Sequence, residues 1–136
     1  MSSQEIETIA KKLVDTFRLY GIVLFGSRAR GDYKPWSDYD LLIVGDFQEP
    51  YLERLDKVFE ALKDTSLPVE PHPYTLGEAL EMLKKGNPLI VAALSEGIEL
   101  YITPEFELLK NTYMDLVKRG LKRTKISVIV PSEEQQ

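Results

Sequence analysis

The chain has 136 residues, 43% hydrophobic and 29% charged, values that fit one compact domain and exclude a disordered chain. Its 17 Lys and Arg against 22 Asp and Glu give a net charge of −5, which opposes general attraction to nucleic acid or an anionic membrane surface. Cysteine is absent, which excludes a disulfide framework, a thiolate zinc site and a cysteine nucleophile, and with no secretory leader or spanning apolar run a cytoplasmic protein is expected.

Ser2 and Glu5 have capping-box spacing, and Ile6, Ile9, Leu13, Val14 and Phe17 recur at helical intervals, so residues 4–20 read as an amphipathic helix stopped by Gly21. Residues 22–25 and 39–44 are short apolar runs of β type, expected as neighbouring central strands. Between 50 and 63, Leu52, Leu55, Val58, Phe59 and Leu62 share one helical face. Residues 67–74 read as a strand that Pro71 and Pro73 push to a sheet edge. Thr75 and Glu78 open a further helix that stops near Gly86, and Asn87-Pro88 starts a short one. Residues 97–102 give a fourth strand, and Thr103-Pro104 is expected to cap a helix running to about Arg119, ended by Gly120. Strands alternating with helices imply an α/β or α+β layer domain over residues 1–130, with 131–136 as a polar tail. Residues 126–130 have β character after this core, open to an extra edge strand, pairing with a second copy, or docking on a partner.

The stretch that carries chemistry is Gly26-Ser27-Arg28-Ala29-Arg30-Gly31, a loop, then Ser37-Asp38-Tyr39-Asp40-Leu41-Leu42. Asp38 and Asp40 stand two apart at a strand start, so their side chains project from one face, and two such carboxylates call for a positive neutraliser. Magnesium, which favours carboxylates, water and substrate phosphate, suits such a pair. Gly26-Ser27 directly after a strand lets backbone amides and a hydroxyl approach an anion, and Arg28 and Arg30 supply guanidinium groups matched to phosphate. A turn, a pair of solvated aspartates and exposed arginines are the ordinary readings of each element alone. Their joint occurrence at this spacing favours a nucleotide–metal site.

Together these residues resemble the nucleotidyltransferase superfamily of the DNA polymerase β type. The run Gly-Ser-Arg-Ala-Arg-Gly with Ser-Asp-Tyr-Asp-Leu is most similar to its small stand-alone group, the minimal nucleotidyltransferases. The resemblance implies a mixed sheet of four to five strands with helices packed on it. It implies two-metal transfer of a nucleoside monophosphate, AMP from ATP, to an acceptor hydroxyl. Gly26, Ser27, Arg28 and Arg30 are then the nucleotide-binding residues, and Asp38 and Asp40 the magnesium ligands. The family's third carboxylate falls on Glu70, a glutamate followed by prolines where an aspartate is usual, either completing the metal site or serving as base. The resemblance also implies an antitoxin-like role toward an all-helical HEPN partner, with the acceptor site shared with that protein or with a second copy in a homodimer. The alternatives are a catalytically silent nucleotide-binding subunit, which the Glu70 departure motivates, and a transferase acting on a small hydroxylated molecule.

His72, the single histidine, is read as a strand-edge residue rather than a ligand. Trp36, beside the aspartates, either stacks on a base or pins its loop against the core. The basic run Lys110, Lys118, Arg119, Lys122, Arg123 and Lys125 is read as a solvated face, with contact to an acidic partner or to nucleic acid as the alternative.

Overall fold

The computed structural model describes residues 2–123 and 128–131. In chain order they form α1 (Ser2–Thr16), β1 (Leu19–Phe25), α2 (Ser27–Arg30), β2 (Tyr39–Gly45), α3 (Tyr51–Ala61), β3 (Val69–Tyr74), α4 (Leu76–Lys84), α5 (Pro88–Glu96), β4 (Ile98–Ile102), α6 (Phe106–Lys118), β5 (Lys122–Arg123) and β6 (Val128–Ile129). Among the described residues no helix is long and apolar enough to cross a membrane.

Four strands make a mixed sheet in the order β3-β2-β1-β4, with β1 antiparallel to β2 and β4, and β2 parallel to β3. The two apolar runs are therefore adjacent central strands, and the proline-bearing strand takes an edge, where missing N–H donors cost no ladder bond. Alternation along the strands sends side chains to both faces. Val23, Phe25, Leu42 and Val44 are covered by α4, α5 and α6, whereas Ile22, Leu24, Leu41 and Ile43 are covered by α1 and α3. Burial on both faces is why residues 41–44 read as an unbroken apolar run; all four are fully buried, each side chain contributing about 1.5–3 kcal/mol.

The helix starts follow local chemistry. The Thr75 hydroxyl accepts from the Glu78 N–H at 3.1 Å while the Glu78 carboxylate accepts from the Thr75 N–H at 2.9 Å, the reciprocal capping box of α4. Asn87 caps α5 through its side-chain oxygen, with Pro88 in the first turn. The Ser2–Glu5 pair depends on the Ser2 side chain, which lies outside the described set.

The sheet overrides three sequence expectations. The first helix stops at Thr16, and residues 19 and 20 join β1, because Leu19 pairs with Gly45 and is buried against α1. Gly21 is thus inside a strand rather than a helix stop, and the Phe106 ring fills the space its Cβ would need. Thr103 does not cap α6: its N–H and hydroxyl both donate to the Tyr20 carbonyl, at 3.0 and 2.7 Å, and Glu105 takes the cap position. On α3, Val58 and Leu62 are buried, but Leu52 (74% exposed) and Phe59 (51%) face outward, so the expected apolar face is wider than the core it covers. After α6, β5 and β6 pair only with each other, so the described part of residues 126–130 adds no strand to the main sheet; residues 124–127 and 132–136, including Lys125 and most of the expected polar tail, lie outside the described set.

Candidate active site

All the chemistry-bearing residues of the sequence collect at one end of the sheet, where β1 finishes and β2, β3 and β4 begin. Phe25, the last residue of β1, pairs with Asp40, and the chain then turns at Gly26 with φ 77° and ψ −159°, a combination essentially confined to glycine. A Cβ on Gly26 would also stand 2.6 Å from Asp40 Oδ2. Backbone conformation and close approach therefore demand glycine independently. The Ala29 and Arg30 N–H groups donate to the Gly26 carbonyl at 3.0 and 3.1 Å, while the Ser27 and Arg28 amides stand at the start of the single turn α2, ahead of its hydrogen-bond ladder.

The parallel pairing of β2 with β3 sets Asp40 directly beside Glu70, and Leu42 beside His72. Because side chains two apart share a face, Asp40, Glu70 and His72 converge, and one donor atom from each lies within 4.8 Å of the other two. His72 Nε2 is 3.3 Å from Asp40 Oδ1, and its ring packs on Phe25 with centroids 5.3 Å apart. The hydrogen bond shared with Asp40, then partial burial, then the Asp40 and Asp38 charges raise the proton affinity of Glu70; His72 opposes the shift. Two carboxylates in contact must share a proton or accept a cation. Oxygen and imidazole donors in this arrangement fit a divalent ion. Asp38 sits one residue before β2 and is exposed; its charge reaches Glu70, but its carboxylate is outside the three-residue group.

The two arginines are engaged within the protein. Arg28 donates from Nε to the Ser37 carbonyl at 3.1 Å and from Nη2 to the Pro35 carbonyl at 3.3 Å, and lies over the Tyr33 and Tyr39 rings at 4.2 and 4.3 Å. It thereby ties α2 to the loop that carries Asp38. Arg30 bonds Asp32 at 3.1 Å and Glu96 at 3.3 Å. Glu96, at the end of α5, also receives Arg123 from β5 at 2.9 Å, so one largely buried carboxylate joins the Gly-Ser turn to the C-terminal hairpin. Within the basic run Arg119 pairs with Asp115, and Lys110 with Glu99 and Glu107. Trp36 is 77% exposed, so it does not pin its loop against the core.

Sequence reasoning set aside His72 and did not single out Glu96. A signal for His72 was present: it stands two residues from Glu70 on the same strand, so any register that places Glu70 at the site brings His72 to the same face. Glu96 carried none, since its partners come from positions 66 residues earlier and 27 later.

The family profile described as a nucleotidyltransferase domain matches residues 5–99. A curated relative in Methanocaldococcus jannaschii, named "Putative protein adenylyltransferase MJ0604", is 57% identical over 35 residues, 26% of this chain. The matched segment spans only 35% of that relative's length. Among solved structures, the crystal structure of a toxin–antitoxin with AMP-PNP superposes with TM-score 0.59 at 20% identity, covering 84% of this chain and 86% of the other. A tri-AMPylated Shewanella oneidensis HEPN toxin in complex with MNT antitoxin gives TM-score 0.53 at 20% identity, covering 87% of each chain. At such identities the likeness is one of fold.

Proposed function

The chain belongs to the nucleotidyltransferase-domain family, and on that premise we propose that it transfers AMP from ATP to a hydroxyl group on a HEPN-type partner protein, with a divalent cation at the sheet end. The observation that carries this reading is the packing of the Gly-Ser turn on the second aspartate: Asp40 Oδ2 lies 2.6 Å from where a Cβ on Gly26 would stand, which brings a phosphate at the turn close to a cation on Asp40. The names of the fold relatives, an AMP-PNP complex and an AMPylated HEPN toxin, support the same nucleotide and acceptor class.

In this reading the Ser27 and Arg28 amides and the Ser27 hydroxyl hold the terminal phosphates. Arg28 keeps the loop bearing Asp38 in place, and Arg30, paired with Asp32 and Glu96, stands near the turn. Asp40 and Glu70 would hold the cation, with the exposed Asp38 alongside; a divalent ion there would supply charge stabilisation for the attacking and leaving oxygens. The acceptor hydroxyl oxygen forms a bond to the α-phosphorus as the bond to the β-phosphate oxygen breaks, and pyrophosphate departs. Glu70 would either complete the cation site or take the hydroxyl proton. The site acts in the cytoplasm on this proposal.

The test is incubation with Mg2+ and ATP, with and without a HEPN partner, followed by intact mass of both chains, with Asp38→Asn and Asp40→Asn alongside. An adenylate mass on the partner, lost in both variants, is expected. Tight association with the partner without any mass shift would overturn transfer and favour a silent nucleotide-binding subunit.

A further inference from the structure

We infer that the cation site is not an all-oxygen site: His72 contributes its Nε2 beside Asp40 and Glu70, and the site selects a first-row transition ion, Mn2+ or Co2+, over Mg2+. The inference rests on the proposed function for the presence of a cation at this position. It extends that reading by naming the class of ion and the residue that decides it.

Ligands at about 2.1 Å in an octahedral shell are separated by about 3.0 Å when adjacent and about 4.2 Å when opposite. His72 Nε2 and Asp40 Oδ1 are 3.3 Å apart, close to the adjacent spacing, and all three donor atoms fall within 4.8 Å. The three donors are thus grouped closely enough for one ion to gather them with side-chain adjustment, the His72–Asp40 pair already near the adjacent spacing. The imidazole is also held in place: its side chain is 17% exposed, Phe25 packs on its ring, and β3 fixes its backbone beside Leu42.

Donor chemistry then decides the ion. Magnesium is hard, demands oxygen ligands and gains little from an imidazole. Manganese and cobalt accept carboxylate and imidazole together, and affinity for mixed N/O sites rises along the first row beyond manganese. With Asp40, Glu70 and His72 as ligands, an ion would keep further positions for Asp38, water and substrate oxygens. Pro71, between the two β3 ligands, lacks an N–H and keeps that edge from pairing with another strand.

The experiment uses the full chain and each metal alone, Mg2+, Mn2+ or Co2+, with and without a non-hydrolysable ATP analogue. Affinity is read by calorimetry, and ligation by pulsed EPR of bound Mn2+ and by visible absorption of bound Co2+. The wild-type protein should bind Mn2+ at least about tenfold more tightly than Mg2+ and show nitrogen coupling from a directly bound imidazole. His72→Asn should lose the nitrogen coupling and about tenfold in Mn2+ affinity, with Mg2+ affinity within about twofold of wild type. Its thermal melt without metal serves as the fold control, and His72→Gln provides a second variant should the first melt early. Unchanged Mn2+ affinity and no nitrogen coupling in the wild-type protein would overturn the role of His72 while leaving the site itself standing. Absence of divalent binding even with the nucleotide analogue would instead overturn the proposed function.

Discussion

Gly26→Ala couples the fold to the site more directly than any other single change, because two independent penalties meet at one Cβ. The backbone conformation, φ 77° and ψ −159°, costs an L-residue about 1–3 kcal/mol. The new methyl group would also stand 2.6 Å from Asp40 Oδ2, well inside ordinary carbon–oxygen contact, so the carboxylate must move from the position it holds beside Glu70 and His72. For a domain of this size the backbone penalty corresponds to a fall in melting temperature of about 4–12 °C. Gly31→Ala is the matched control: Gly31 also has a positive φ, 91°, but nothing lies within 4 Å of its Cβ position. Ala at Gly31 should cost about 1–2 kcal/mol and leave divalent binding intact. Urea denaturation gives the stabilities and metal titration the affinities. The expected pattern is loss of stability in both variants and loss of cation binding only in Gly26→Ala. Equal cation binding in the two variants would refute the claim that the turn and Asp40 are packed as one unit.

Three further outcomes follow from the same geometry. Arg54, 6% exposed, donates to both Glu78 carboxylate oxygens at 2.7 and 3.1 Å and to the Glu49 carbonyl at 2.8 Å, so Arg54→Met should cost about 2 kcal/mol by urea denaturation, less than a fully buried pair because Glu78 reaches solvent. The hydrogen bond from Arg54 holds the Glu78 carboxyl below the ordinary range, so its contribution is present at neutral pH and lost as pH falls through that lowered value. Glu70 runs the other way: its raised value favours the metal-free fold at low pH, and that increment is lost as pH rises through it. A stability–pH curve should therefore lose the Glu78 share of its acid limb in Glu78→Gln and its Glu70 increment when a divalent cation is added. Trp36, the one tryptophan, is exposed beside Asp38, so Trp36→Ala should change stability by less than about 0.5 kcal/mol, and wild-type fluorescence should shift on adding nucleotide with cation if the indole stacks on the base.

The sequence by itself determined the kinds of element, their order and the identity of the turn and its aspartates, because these are written in local signals. Apolar periodicity separated helix from strand, Thr75–Glu78 and Asn87-Pro88 marked helix starts, and the Gly-Ser and Asp-x-Asp pair stood close enough in the chain to be read as one motif. Paired prolines even placed β3 at an edge, since an edge is where a missing N–H is tolerated. What only the tertiary structure decided were the contacts between distant segments. The β2–β3 register that sets Asp40 beside Glu70, and so brings in His72, is fixed by burial of Leu41 and Leu42 on opposite faces of a shared sheet, not by any local spacing. The partners of Arg28 and Arg30, the latch at Glu96 and the outward position of Trp36 depend likewise on which surfaces meet once both faces of the sheet are covered. The end of the first helix and the start of the last moved for the same reason: strand pairing outweighed a few tenths of a kcal/mol of local helical preference at Leu19, Tyr20 and Thr103.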